Sequence, residues 1–471
     1  MNELNEQQKV KRLYNLIGDR GLYVNTGYDL FTESPESIRL ALGAGINVNL
    51  MREGSRAYSS PLLFATLTSL LNHGTMFITG APGIGKTTGA EFAGHFFTEV
   101  PLDDIIEAEI IGNPQLKTED VIANLDTVKM IHTGEKEVLP TKFLKCPVKI
   151  WDEINRTPSD LLSATMKLVD NGKAVYQGTL LRSPPGVLFA TANYADEGTF
   201  QLTPPFLDRF DVGVMVTSPQ PWDIKEIRAR GDEKVNGELE KRLNIPEGLK
   251  LNLEKIRREI KEMPEADYGV SDFADFIYGS LRFSEIASDN LARATKGNAW
   301  QINQDNAPSG HFPDSPFNYT VNELSVRTAK AMTRYARAYA WLNGRDKSEI
   351  NDLKAVLPYL IWHKIRPTSK ALAENQRWAN DRIGFAEGLI AKIEMDYSDC
   401  IDSEAFKFYK SALNILKTGK IKNKDLSKEE IRKVCVSAIE KIGTIDKPYA
   451  ITMANHVATE YNTRMNRRNY D

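Results

Sequence analysis

The stretch Thr75-Met-Phe-Ile-Thr-Gly80-Ala-Pro-Gly-Ile-Gly85-Lys86-Thr87-Thr88 decides the fold that we expect for this chain. An apolar run leads into a loop that fits the pattern G-x-x-x-x-G-K-[ST], which is typical of a turn between a strand and a helix. In that pattern, backbone N–H groups surround phosphates, the lysine reaches the β- and γ-phosphates, and the hydroxyl ligates Mg²⁺. The alternative is a glycine-rich turn that binds nothing. Because apolar side chains at 92, 93, 96 and 97 predict a helix directly afterwards, we favour a nucleotide site. Its expected contacts are Gly80, Ala81, Pro82, Gly83, Ile84, Gly85, Lys86, Thr87 and Thr88.

A second apolar run, Pro147-Val-Lys-Ile-Trp-Asp152-Glu153, ends in two adjacent carboxylates. By itself such a pair most often belongs to an ordinary loop. Placed after the phosphate loop in a β/α alternation, it predicts that Asp152 holds the Mg²⁺ shell, with Thr87 as the other ligand. Glu153 is then expected to polarise the attacking water.

The apolar runs predict an α/β fold with a parallel sheet flanked by helices. Strands are expected near 76–79, 148–151, 187–191 and 212–216, with one more near 98–102. Parallel sheets present functional residues at the carboxyl ends of their strands, so Asn193, which ends the run 186–193, should point at the γ-phosphate. Alternation predicts a hairpin around Gln177-Gly178 and suggests another across residues 128–136. Residues 1–57 show helix-like patches, including 10–17 and 38–42, and we expect this extension to pack near the nucleotide base.

Composition indicates a soluble globular protein of two or three domains. The chain has 471 residues, 41% apolar and 26% charged, with a net charge of −3, which gives no general reason to expect nucleic acid or an anionic membrane as partner. The three cysteines lack metal-ligand spacing, so we expect reduced thiols. Residues 1–20 lack the apolar core of a signal peptide, and the apolar run 59–71 is too short to span a bilayer. A cytoplasmic location without a membrane span is expected.

From Pro221 onward the pattern becomes helical. Helices are predicted over 222–230, 251–262, 270–281 and 325–343 and from 348, and a long loop over Lys296–Asn318. Residues 370–471 are also expected to be helical, without a recognisable fold. Residues 402–471 are mildly basic, which is explained better by a solvated face than by a nucleic-acid patch.

Taken together, these motifs resemble the AAA+ ATPases, and within them the MoxR family. The resemblance is carried by Gly80–Thr87, Asp152-Glu-Ile-Asn-Arg-Thr-Pro158, Ala190-Thr-Ala-Asn193, Glu197-Gly-Thr-Phe200, Leu207-Asp-Arg-Phe210, Ser325-Val-Arg327 and Leu342-Asn-Gly-Arg-Asp346. It covers roughly 58–366 and implies an AAA+ P-loop core followed by an α-helical lid. The expected domains are an N-terminal extension (1–57), the α/β nucleotide-binding domain (58–220), the lid (221–368) and an additional C-terminal helical region (369–471). The resemblance does not cover the first and the last of these.

The resemblance also implies roles for individual residues. Asn193 is similar to the sensor-1 residue, Arg209 to the arginine finger that reaches the neighbouring subunit's ATP, and Arg327 to the sensor-2 arginine. For Arg209 the alternative is a surface ion pair with Asp208.

Other arginines are possible alternatives for these roles. Arg156 and Arg182 are alternatives for the intersubunit contact, whereas Arg334 and Arg337 lie deeper in their helix. Ile105–Pro114 resembles the family's helix-2 insert and the hairpin 174–188 its pre-sensor-1 hairpin. The usual Gly-Gln signature is missing before Pro61, which leaves the adenine contacts unassigned.

The function that this resemblance implies is an Mg²⁺-dependent ATPase forming a homo-oligomeric ring, expected to be a hexamer. Such a ring would remodel or mature client proteins in a chaperone-like manner, with a von Willebrand factor A domain protein as partner. The alternatives are a nucleic-acid motor on the same core, a metal-chelatase-type motor subunit, and a scaffold that binds ATP and hardly turns it over. Net charge and the lack of a basic, aromatic module argue against the nucleic-acid motor.

Overall fold

A computed structural model describes residues 4–20, 30–32, 38–42, 46–50, 56–193, 200, 202–219, 221, 224–229, 242–266, 269–282, 312–421 and 424–467. The chain forms two compact units, one comprising Met1–Val270 with Lys330–His363 and the other Ser271–Ala329 with Lys364–Asp471. The described helices do not combine the length and the apolar character that crossing a bilayer requires.

A five-stranded parallel sheet, here called the central sheet, organises the first unit. Its strands, in spatial order, are Val212–Val216, Gly74–Gly80, Val187–Asn193, Val148–Asp152 and Ile110–Ile111. Their side chains are almost continuously buried, as expected for strands covered on both faces. Four of the five strands lie where the apolar runs predict them. The register places Asn193 beside Gly80, so the carboxyl ends of neighbouring strands meet at one edge.

The prediction of a strand near 98–102 is wrong. Thr98 ends the helix Lys86–Thr98, and Leu102–Glu107 forms another helix, whose start follows Pro101. The fifth strand is instead Ile110–Ile111, which pairs with Trp151 and Asp152. The interpretation of Ile105–Pro114 as an insert is therefore wrong for Ile110 and Ile111, because these two residues belong to the central sheet.

Two further predictions of local structure are corrected. Residues 127–133 form a helix rather than part of a hairpin, because Asp126 caps Lys129 N and Gly134 ends the helix with a left-handed conformation. A strand pair, Ala123–Leu125 with Val138–Pro140, flanks that helix. The patch Ile38–Leu42 is a strand paired with Ile46–Leu50, not a helix, since five residues cannot distinguish the two periodicities.

The first unit also contains helices and short strand pairs besides the central sheet. Its helices are Glu6–Asp19, Ser60–Leu70, Lys86–Thr98, Leu102–Glu107, Thr118–Val121, Thr127–Thr133, Lys142–Lys145, Ser159–Asn171, Pro204–Leu207, Ile224–Ala229, Leu253–Glu262 and Ile350–Ile361, with 3₁₀ turns at Ile154–Arg156 and Glu247–Leu249. Its further strand pairs are Leu30–Thr32 with Arg56–Tyr58 and the predicted hairpin Lys173–Tyr176 with Thr179–Arg182. Ser60–Leu70 is buried on every side, which explains its lack of a polar face.

The second unit is helical. Its helices are Val270–Arg282 (from Ser271), Ser369–Glu374, Arg382–Asp402, Glu404–Thr418, Lys428–Gly443 and Pro448–Arg467, with 3₁₀ turns at Pro316–Tyr319 and Gln376–Ala379 and the strand pair Lys420–Ile421 with Lys424–Asp425. Val326–Asn343 is divided between the two units at Ala329. We call the last four helices the C-terminal bundle.

The C-terminal bundle has its own apolar core, which includes Ile431, Ile442 and Val457. Cys400 and Cys435 also lie in this core, Cys146 is buried in the first unit, and all three are free thiols. Of the predicted loop Lys296–Asn318, residues 296–311 lie outside the described part of the chain.

Candidate functional site

The phosphate loop joins the strand Gly74–Gly80 to the helix Lys86–Thr98, as predicted. Gly83 and Gly85 have φ angles of 72° and 82°, in the left-handed region that favours glycine. A Cβ on Gly80 would lie 2.5 Å from the carbonyl oxygen of Val216, so the strand can end there only as glycine. These glycines turn the backbone so that the loop leads directly into the helix N-terminus, where free N–H groups favour an anion.

Lys86 occupies the centre of this edge. Its Nζ donates to the carbonyl oxygens of Gly80 (3.1 Å) and Ala81 (2.6 Å) and to Asn193 Oδ1 (2.7 Å). Burial lowers the pKa of Lys86, while the carboxylates of Asp152 and Glu153 act in the opposite direction. The ammonium is thus held between the loop and two neighbouring strand ends.

Thr87 and Asp152 provide oxygen ligands of the kind that Mg²⁺ prefers. Thr87 Oγ1 donates to Asp152 Oδ1 at 2.7 Å, so both side chains face one point beside the phosphate loop. Thr191, which is fully buried, also donates to Asp152 Oδ1 and accepts a hydrogen bond from Glu153 N at 3.0 Å. These oxygen ligands, with Thr191 holding the Asp152 carboxylate in place, fit a magnesium ion.

Glu153 follows the strand with a left-handed backbone conformation (φ 47°, ψ 43°). Its Oε1 accepts from Asn193 Nδ2 at 2.7 Å, and its Oε2 lies 3.2 Å from Arg156 Nε. Such a backbone conformation is costly for a residue with a side chain and is found most often at functional positions. Here it turns the carboxylate towards Asn193, so the predicted water-activating group and the predicted sensor are in direct contact.

A further acidic side chain lies near this site. Glu109, which precedes the edge strand, has its pKa raised to about 7 by burial and by the nearby carboxylates of Glu91 and Asp152. Three carboxyl groups therefore lie near each other on this side of the phosphate loop, and nearby carboxylates favour a cation.

Two residues with clear supporting contacts were not assigned roles from the sequence. Thr191 positions both Asp152 and the backbone of Glu153, and Asn155 Nδ2 donates to the carbonyl oxygen of Asn193 at 3.2 Å. The available signal for Thr191 was a hydroxyl in the middle of an otherwise apolar strand. Asn155 offered no comparable signal, because its partner is a backbone atom of a distant strand.

Arg209 lies outside this constellation. Its Nε lies 3.3 Å from Asp170 Oδ1 and its Nη1 donates to the carbonyl oxygen of Pro205, so its partner is Asp170. Arg327 is exposed in the first turn of its helix and belongs to the second unit. Of the alternatives, Arg156 contacts Glu153, and Arg182 is exposed on the hairpin.

The other arginines considered have structural partners within the first unit. Arg334 pairs with Asp211 (2.6 Å) and Arg337 with Glu265 (2.8 Å). In the motif Glu197–Phe200, residues 197–199 lie outside the described part of the chain.

Comparisons with known proteins agree with this geometry. Residues 75–210 match the family model of the AAA domain (dynein-related subfamily), and residues 322–383 match that of the AAA lid domain. The first match spans the phosphate loop, both carboxylates, Asn193 and Arg209.

Named relatives point in the same direction. The chain is 26% identical to the chaperone MoxR1 of Mycobacterium tuberculosis (strain ATCC 25618 / H37Rv) over 65% of its own length and 72% of that protein. It is 23% identical to the protein YeaC of Bacillus subtilis (strain 168) over 70% of its own length and 88% of that protein.

A solved structure shares the fold. It is a crystal structure of a candidate ATPase from Cytophaga hutchinsonii ATCC 33406, which has a TM-score of 0.54 and 18% identity and covers 81% of this chain and 94% of that one. These similarities, with the phosphate loop, the paired carboxylates and the five-stranded sheet, support a MoxR-type AAA+ ATPase.

Proposed function

We propose that this protein hydrolyses ATP within a homo-oligomeric ring, expected to be a hexamer, and uses the energy to remodel or mature other proteins. The observation that carries the proposal is the convergence of Lys86, Asp152, Glu153 and Asn193 at one edge of the central sheet. Phosphoryl transfer to water needs phosphate binding, a metal site and a group that polarises the water, and this edge offers all three.

The proposed mechanism assigns each step to a side chain. Backbone N–H groups of the phosphate loop bind the triphosphate, and Lys86 neutralises the β- and γ-phosphates. Thr87 and Asp152 would hold Mg²⁺, which supplies charge neutralisation across the β- and γ-phosphate oxygens when bound. Glu153 takes a proton from the attacking water, while Asn193 fixes the direction of its carboxylate through the 2.7 Å hydrogen bond.

Arg209 and Arg327 complete the proposed site. An arginine supplied from a neighbouring subunit stabilises the charge that develops on the transferred phosphoryl group and is worth about 10³–10⁵ in rate. We assign this role to Arg209 and the sensor-2 role to Arg327. The ion pair with Asp170 would orient Arg209 within its own subunit before it contacts the neighbour's nucleotide.

A chaperone-like role is the biological part of the proposal. The similarity to a protein named as a chaperone supports it. A partner with a von Willebrand factor A domain follows from the resemblance to the MoxR family and is proposed on that basis, together with action in the cytoplasm.

The test is Glu153→Gln, which keeps the size and the hydrogen-bonding capacity of the side chain but removes the base. We expect ATP binding to persist and steady-state phosphate release to fall by about 10²–10⁴. Glu107→Gln is the matched control, because Glu107 is an exposed acid that pairs with Lys142 away from the site. Phosphate release by Glu153→Gln at the wild-type rate would overturn the assignment.

The same variant identifies the partner. Glu153→Gln with Mg-ATP should retain clients and partners that the wild-type protein releases. Co-purification followed by mass spectrometry is expected to recover a von Willebrand factor A domain protein. Stimulation of wild-type phosphate release by DNA, lost at high salt, would instead favour a nucleic-acid motor.

A further inference from the structure

A cavity of about 250 Å³ lies within the second unit, between the helix Val270–Arg282 and the C-terminal bundle. The two matched family models cover residues 75–210 and 322–383, so every lining residue of the cavity lies outside them. The ATPase mechanism uses no residue of this cavity. Its volume suits a small molecule or one long side chain rather than a nucleotide.

The cavity walls are aromatic. The lining includes Phe276, Tyr397, Phe406, Tyr409 and Tyr449. The rings support each other, since Phe276 lies 5.1 Å from Tyr397 and 6.1 Å from Tyr449 between centroids. Tyr397 is buried, and Tyr409 Oη hydrogen-bonds His456 Nδ1 at 2.7 Å. The aromatic faces are therefore held in place before any ligand enters.

Carboxylates outnumber cations around these rings. Asp272, Asp275 and Asp396 line the cavity, whereas Lys410 is the only lysine or arginine among the lining residues that the structure describes. Burial and nearby carboxylates raise the pKa values of Tyr409 and Tyr449 to about 12. A raised phenol pKa is expected where the surroundings disfavour a further negative charge. Aromatic faces and carboxylates both attract cations.

The rim already holds one ammonium group in this manner. Lys410 Nζ lies 5.3 Å from the centroid of the Phe406 ring and 3.3 Å from Asp272 Oδ1. This is the usual geometry of an ammonium bound by an aromatic face and a carboxylate together. Elsewhere in the lining, Asp396 and Tyr449 offer a carboxylate and an aromatic ring to a ligand.

We propose that this cavity binds an alkylammonium group, with the charged end between Asp396 and Tyr449 and the apolar stem against Phe276 and Tyr397. Such a group could come from a free amine or from a lysine side chain of a bound protein. Both present the same chemistry to the cavity, and the experiment distinguishes them.

The test is calorimetric titration of the full-length protein without nucleotide. The probes are cadaverine, as a free amine, and Nα-acetyl-lysine N-methylamide, as a lysine side chain. Nα-acetyl-norleucine N-methylamide is the neutral control of the second probe. We expect saturable binding of at least one cation and about tenfold weaker binding, or none, for the neutral control. Tighter binding of the lysine derivative points to a protein ligand, and tighter binding of cadaverine to a free amine.

Variants locate the binding. Asp396→Asn and Tyr449→Leu should each weaken the preferred cation by about tenfold or more. Asp402→Asn removes the same charge from an exposed position of the same helix, outside the cavity lining, and should leave binding unchanged. Gly279→Leu should block the cavity with an added side chain. A Cβ at this lining glycine meets nothing within 4 Å, so the helix can accept the substitution.

Three results would overturn the proposal. The first is equal binding of the norleucine and lysine derivatives, and the second is equal weakening by Asp402→Asn and Asp396→Asn. The third is no heat of binding for either cation up to about 10 mM. The phosphate-release assay is independent of these outcomes, because no cavity residue belongs to the proposed ATPase site.

Discussion

Thr191 shows how the candidate site depends on single hydroxyl groups. It is buried in the strand Val187–Asn193, yet its hydroxyl donates to Asp152 and accepts from the backbone N–H of Glu153. It thereby holds the carboxylate proposed to support Mg²⁺ and the residue proposed to activate water. Removing a buried hydroxyl that bonds to two such residues is expected to do more harm than trimming an apolar side chain. Both partners are then left without a hydrogen bond.

Replacing Thr191 with valine tests this role. Thr191→Val keeps the shape but removes the hydroxyl, and we expect a fall of about tenfold or more in kcat for phosphate release, since Asp152 and Glu153 lose their shared support. The free energy of unfolding should fall by about 1–3 kcal/mol because the N–H of Glu153 is left without its partner.

Thr165→Val is the matched control. Thr165 is equally buried, but its hydroxyl bonds only to carbonyl oxygens of its own helix, at 3.0 and 3.1 Å. We expect a stability change without loss of kcat. Equal kcat values for the two variants would show that Thr191 has only a structural role.

The strand Val148–Asp152 carries both a proposed metal ligand and a buried lysine. It ends at Asp152, and it also carries Lys149, which is 6% exposed and donates to the carbonyl oxygen of Cys146. Burial lowers the pKa of Lys149 to about 8. The folded protein therefore carries the cost of a buried ammonium whenever the pH is below that value.

The sign of the pH dependence follows from linkage. Between the folded pKa of about 8 and the unfolded value of 10.5, the unfolded chain binds a proton that the folded chain does not, so the contribution of Lys149 makes stability rise with pH over this window. Lys149→Met should remove this rise. At pH 7 the variant should be more stable by about 1–2 kcal/mol, after allowing for the lost hydrogen bond.

Urea denaturation of the wild type and Lys149→Met at several pH values measures this effect. The difference between the two proteins isolates Lys149 from the tyrosines and cysteines that titrate in the same window. A difference in free energy of unfolding that stays constant from pH 7 to 10.5 would contradict a lowered pKa.

For the whole molecule, the proposed activity depends on assembly. The site at the edge of the central sheet brings together Lys86, Asp152, Glu153 and Asn193, whereas Arg209 is held by Asp170. If Arg209 acts on a neighbour's nucleotide, then two inactive variants can repair each other at shared interfaces. This follows because Glu153 and Arg209 would then be needed from different subunits.

Co-assembly of Glu153→Gln with Arg209→Ala tests this consequence. Each variant alone should hydrolyse ATP at least about 10²-fold more slowly than the wild type. In mixed rings, purified through a different tag on each variant, some interfaces carry both intact residues, and phosphate release should exceed the sum of the separate rates. If mixing Arg209→Ala with Glu153→Gln does not restore phosphate release, but mixing Arg182→Ala with Glu153→Gln does, then Arg182, the exposed arginine of the hairpin, is the intersubunit arginine instead.

Features that depend only on residues close together in the chain could be predicted from the sequence. The phosphate loop, the paired carboxylates, Asn193 at a strand end and four strands of the sheet were predictable, because glycine placement and apolar runs act within a few residues. Glu153 and Asn193 were predicted separately for their functions. That they hydrogen-bond to each other became evident only from the packing of neighbouring strands.

The other features depend on tertiary contacts, because the residues that stabilise them are distant in the sequence. Ile110–Ile111 is a strand because Trp151–Asp152 offers it a pairing edge, and Ile38–Leu42 because Ile46–Leu50 does. Arg209 forms an ion pair with Asp170 rather than with the neighbouring Asp208. Thr191 hydrogen-bonds to Asp152 and to the backbone of Glu153, which no local sequence pattern indicates. The cavity of the second unit arises in the same way, since its aromatic and acidic residues come from four different helices.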